Sequence, residues 1–182
     1  MRNASARGLT LIEAMAAMGV MLIGGLGMLA LNAQGQKMNG DAVRMTRATA
    51  IAQDLLSQIS LWNYADARLA DASTANDADV GDSAFAFEQP GAPPADHGEA
   101  DLTLGGAAWL GIPSADLQAG GYERYWNVGF PAGAAGGFAD DSNANGVPDA
   151  MRIAVVVRWP TGGGAFRRVV LVAVKPNPAE AR

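Results

Sequence analysis

Eighteen consecutive residues, 14–31, read AMAAMGVMLIGGLGMLAL and carry no charge, hydroxyl or amide. With residues 9–13 in front the stretch grows to 23 residues and holds a single charge, Glu13. A helix of that length spans about 34 Å at 1.5 Å per residue, enough for the hydrocarbon core of a bilayer. A charge near the middle of a membrane segment costs about 2.5–3.5 kcal/mol on insertion scales. A chain that keeps Glu13 there needs a partner for it.

The 182 residues suffice for one domain, or one domain plus an appendage. Net charge is −5, and removal of the first eight residues, with Arg2 and Arg7, makes it −7. The basic residues are scattered, and nucleic-acid binding demands clustered positive charge. Composition therefore argues against a nucleic-acid partner. Cysteine is absent, which excludes a disulfide framework, a thiol nucleophile and a Cys-ligated metal.

Three readings compete for the N-terminus. A cleaved secretory signal would use Arg2 and Arg7 as its basic region and cut near Leu31-Asn32-Ala33, but its apolar stretch is too long and holds an acid. A generic anchor, oriented with its N-terminus in the cytoplasm by Arg2 and Arg7, leaves Glu13 unexplained. The third reading rests on Gly8-Leu9-Thr10-Leu11-Ile12-Glu13 followed by the apolar run. This stretch resembles the processing site of type IV pilins and of the related type II secretion pseudopilins.

The resemblance implies a chain of events. A prepilin peptidase cuts between Gly8 and Leu9 and methylates the new terminus at Leu9. Glu13 then pairs with the terminal amine of a neighbouring subunit as helices stack, because each charge is costly alone and far less so when well paired. The family's commonest residue after the cut is Phe; Leu9 keeps the large apolar side chain. The implied partners are the prepilin peptidase, other pilin subunits, the inner-membrane assembly machinery and membrane lipid. The implied location is the inner membrane with a periplasmic head, then the cell-surface pilus.

Beyond residue 31 the pattern becomes amphipathic. Ala48, Ile51, Leu55, Ile59 and Trp62 fall on one helical stripe. No proline interrupts residues 9–62, so one long helix is expected. Gly19, Gly24, Gly25, Gly27 and Gly35 are its weak points, at about 1 kcal/mol of helix propensity each. Residues 63–102 read as a surface loop with one strand at 83–88, and QPGAPPADHGEAD (89–101) has the punctuation of a solvated loop. His97 beside Asp96, Glu99 and Asp101 offers metal-ligand chemistry, though a lone His among acids is weak grounds for a site.

Strands are expected at 122–130, 153–159 and 166–174, the last two joined by a glycine-containing hairpin loop at 160–165. The expected fold is α+β: a long N-terminal helix, membrane-spanning in its first half, packed on a small antiparallel sheet. The implied division is a leader at 1–8, a transmembrane assembly helix at 9–33, its amphipathic half at 34–63 and a β-rich head at 64–182. Within the family, ATAIAQDLLSQI and the closing IAVVVRWP hairpin are most similar to PilV-type minor pilins.

One more stretch has a chemical signature. In DDSNANGVPD (140–149), Asp141, Asn143 and Asn145 alternate ahead of Gly146, the Val147 carbonyl could contribute, and Asp149 closes the set. Alternating oxygens followed by a glycine turn suit calcium. Arg152 stands where a calcium loop would place its bidentate Glu, so an Asx-rich turn remains the competing reading. Ca2+ is the one cofactor the sequence suggests, and none is required. No nucleophile elbow, phosphate-cradling loop or His-rich set suggests an enzyme. The expected role is a structural minor prepilin that primes or modifies a filament. A minor pseudopilin of type II secretion and a membrane-anchored calcium-dependent adhesin are the alternatives.

Overall fold

Helix α1 runs Leu11–Leu61 without a break, as the absence of proline and the 3.6-residue periodicity of its second half require. The computed structural model describes residues 10–72, 95–129, 148–161 and 165–179. They fall into two units, one ending at Arg44 and the other beginning at Met45. The first unit is helix alone. The second holds the last turns of α1 and everything after them.

Four strands follow: β1 (His97–Gly98), β2 (Glu123–Gly129), β3 (Ala150–Pro160) and β4 (Phe166–Pro176). They form one antiparallel sheet in the order β1-β2-β3-β4. The ladder between β3 and β4 pairs all 11 residues of each, from Ala150↔Pro176 to Pro160↔Phe166. Every residue from Ile153 to Val157 in β3 is fully buried. A continuous run of β-branched and small side chains suits a strand covered on both faces.

The stripe Ala48, Ile51, Ala52, Leu55 and Ile59 of α1 packs against Trp126 and Val128 of β2 and Met151, Ile153, Val155, Val157 and Trp159 of β3. Full burial of a Leu or Ile side chain stabilises by about 1.5–3 kcal/mol, so this seam fixes helix to sheet. The helix stops one residue before Trp62, which packs half-buried on the core. The α+β layout expected from the sequence is the one observed.

Three parts differ from expectation. Within the surface loop expected at 63–102, Ala67–Leu69 form a 3-10 turn and Arg68 and Leu69 are buried. Residues 95–101 do not form a solvated loop: β1 pairs with Tyr125 and Trp126, and Asp96 and His97 are buried. Polar and glycine-rich composition signalled exposure, but strand pairing and stacking on Trp126 outweigh it. Between β1 and β2 the chain forms two short 3-10 turns within Glu99–Gly106 and a helix α2 (Ser114–Gly120), neither expected from periodicity because both are too short to show one. Gly121 ends α2 at φ 71°, where Tyr122 N–H donates to Leu117 O at 2.9 Å. That left-handed position favours glycine. The expected strand at 83–88 lies outside the described residues.

Candidate functional site

The start of α1 holds the feature that dominates the sequence. Thr10 precedes the first helical residue, and the Glu13 N–H points at its carbonyl (3.1 Å) and its Oγ1 (3.4 Å). Thr10 therefore caps the helix and Glu13 occupies the first turn. The unsatisfied N–H groups there carry partial positive charge that favours a carboxylate. Glu13 thus stands at the mouth of the apolar segment and not in its middle, which lowers its cost. Among the described residues its carboxylate has no ion-pair partner. Gly8 and Leu9 lie outside the described residues.

Beyond Glu13 the apolar side chains are uncovered. Leu11 is 81% exposed, Met21 80% and Ile23 74%. The most apolar 18-residue window of α1 has mean hydropathy 2.1 and no buried residue. Length and composition therefore allow α1 to cross a membrane. Among the described residues nothing covers this surface, and its extent exceeds what water-exposed monomers usually carry. Met18, Met21, Leu22, Gly25, Leu26 and Leu29 line one shallow groove along it.

In the second unit the polar groups that sequence marked as candidates are engaged in holding the fold. His97 Nε2 lies 2.7 Å from Ala70 O, and its ring stacks on Trp126 at 5.3 Å. Asp96 accepts from Val128 N–H at 2.7 Å and from Ala72 N–H at 3.3 Å. Glu99 accepts from Arg124 Nε and Nη2 at 2.9 and 2.8 Å, and contacts Ser114 Oγ. Asp101 accepts from Gly98 N–H at 2.8 Å. Among the described residues no group of three His, Asp or Glu side chains is arranged to hold a metal. Of the calcium set, Asp141, Asn143, Asn145 and Val147 lie outside the described residues. Asp149 lies one residue before β3, where its carbonyl accepts from Asn177 N–H at 2.6 Å. Burial, and the nearby Asp149 charge, push the Tyr64 phenol above its ordinary range.

Two arginine clamps and a lysine escaped the sequence reading. Arg124 is 2% exposed on the core-facing side of β2, donates also to Ile112 O at 2.8 Å, lies 3.9 Å from Asp54 and stacks over Trp109. Arg68 grips Asp66 through two nitrogens, at 2.9 and 2.7 Å, with its guanidinium 3.8 Å above the Trp62 ring. That hydrogen bond holds the Asp66 carboxyl below its ordinary range. Lys175 Nζ donates to Ile59 O and Ser60 O, each at 3.1 Å, at the end of α1. The one usable signal was Arg124, a charge in phase with Trp126 and Val128 on a strand face that must be buried. Comparison with protein-family models, with curated proteins and with solved structures finds no match to this chain.

Proposed function

We propose that the chain is a prepilin-type structural subunit, cut between Gly8 and Leu9, methylated at Leu9, and built into a type IV pilus as a minor subunit that primes or modifies the filament. The observation that carries the reading is the sequence Gly8-Leu9-Thr10-Leu11-Ile12-Glu13 leading directly into an uncovered apolar helix. Two further features support it. That helix continues into the core of an α+β head, so a pull on the apolar end is transmitted to the head through hydrogen-bonded backbone. Glu13 sits in the first turn of α1, near the end of the helix closest to residue 9, and the reading pairs it with the amine freed at residue 9 of a neighbour. Pairing removes most of the cost of two charges in an apolar phase.

Mass analysis of the N-terminus of membrane-extracted protein tests the cleavage. A start at methyl-Leu9 is expected, and an intact Met1 or a start near Gln34 would end the reading. Assembly is tested by Glu13→Ala, which should be inserted and cleaved as before yet be depleted in sheared filaments. Undiminished incorporation of that variant would refute the pairing role.

A further inference from the structure

Most of α1 is held in shape by something besides its own backbone. Residues 48–59 bury a stripe in the core. Residues 14–31 are apolar on all sides, and inside lipid or a micelle an opened backbone finds no water to bond, so the helix stays shut there. Residues 32–44, NAQGQKMNGDAVR, have neither support. None of them is buried, and Asp41 alone is half-buried. Met38 and Val43, its two large apolar side chains, are 64% and 62% exposed. The division of the chain at Arg44 places every later residue in the other unit.

The composition of the stretch disfavours a helix as well. Gly35 and Gly40 lose the most backbone freedom on becoming helical and leave that backbone open to water. A Cβ at either position would meet nothing within 4 Å, so no close approach requires a glycine there. Asn32, Asn39 and Asp41 have short polar side chains that compete for backbone hydrogen bonds in non-helical conformations. Asp41, Ala42 and Arg44 do make polar or charged contacts, which at an exposed surface are individually weak. A separate helix of this length is marginal in water even when rich in alanine. Continuity with the helix on either side is what keeps it wound.

We infer that residues 32–44 form a yielding link in α1, which opens and closes as a unit while the helix before and after it stays formed. Such local opening is far less costly than global unfolding where few apolar contacts are lost. Opened, the 13 residues can reach at most about 45 Å, against about 20 Å as helix. A pull along α1 is taken up there first. The inference requires only that residues 14–31 be covered by lipid, detergent or protein, and it does not depend on the filament reading.

Hydrogen exchange of the full chain in detergent micelles tests it. The amides of residues 36–44 are expected to exchange at least about tenfold faster than those of residues 20–30 and 52–59. The double variant Gly35→Ala/Gly40→Ala should slow exchange in the stretch by about twentyfold. The same change inside the apolar run, Gly19→Ala/Gly24→Ala, should leave exchange at 36–44 as it was. Even protection from residue 20 to residue 59 would overturn the proposal. So would a Gly35/Gly40 variant that exchanges like the parent, or a Gly19/Gly24 variant that slows the stretch equally.

Discussion

Arg124 shows how much of the second unit turns on one side chain. Its guanidinium joins the α1 residue Asp54, the first 3-10 turn through Glu99, and the chain ahead of α2 through Ile112 O. Removing one partner of such a set strands the others, and breaking a buried pair costs about 3–5 kcal/mol. Glu99 and Asp54 keep some contact with water, so Arg124→Met should destabilise by about 3 kcal/mol in urea unfolding. Arg124→Lys should recover only part of it, because an ammonium cannot form the two-pronged contact. Gly111 belongs to the same cluster: a Cβ there would strike the Trp109 ring and the Asp54 carboxylate, so Gly111→Ala should also lower stability. Asp66 governs an acid response. Its folded-state value is lowered, chiefly by the hydrogen bond from Arg68. A depressed carboxylate contributes stability that is complete above the unfolded value and disappears as pH falls through the folded one. Asp66→Asn should therefore lower the urea midpoint at neutral pH and flatten its decline below about pH 4. An acid limb as steep as that of the parent would remove Asp66 from the account.

At the scale of elements, α1 is two different objects written in one helix. Residues 14–31 are apolar on all sides and none is buried, whereas residues 48–59 bury a single stripe. Leu55→Ala should cost about 2–5 kcal/mol in a thermal melt followed by tryptophan near-ultraviolet signals. Leu22→Ala, the same chemical change in the exposed half, should leave that melt unmoved. The stripe was legible because an amphipathic helix announces its buried face through spacing, and β2, β3 and β4 announced theirs through aromatic and β-branched runs. The polar scaffold was not legible. Glu99, Asp54 and Arg124 are far apart in sequence, and nothing in local pattern says that 45 residues of chain will fold back to join Asp54 to Glu99. His97 misled for the same reason. Its neighbours along the chain suggested metal ligands, but of these only Asp101 comes near the ring, at 3.8 Å, and the closer partners are a tryptophan face and a backbone carbonyl. Of the candidate site, Glu13 was legible as an anomaly of charge. Its placement in a capped first turn was not, since capping depends on where the helix begins.

For the molecule as a whole, the distribution of burial decides what can stand alone. Among the described residues no member of the hydrophobic core precedes Ala48, and the division between the two units falls between Arg44 and Met45. A chain beginning at Met45 keeps Ala48, Ile51, Ala52, Leu55 and Ile59 with the whole sheet. It keeps both arginine clamps and the Lys175 contacts with the end of α1. It loses the uncovered apolar surface of residues 14–31, for which water is a poor solvent. The new helix end has three residues before its first buried side chain, so fraying of a turn there would cost the core little. This fragment should therefore be soluble without detergent and unfold in one cooperative transition. Its midpoint should lie within a few degrees of that of the second unit in the full chain held in micelles, where the apolar helix stays covered. A fragment that remained expanded in buffer, or melted far below the parent, would mean that residues 10–44 supply stability to the sheet, and the division drawn from burial would be wrong.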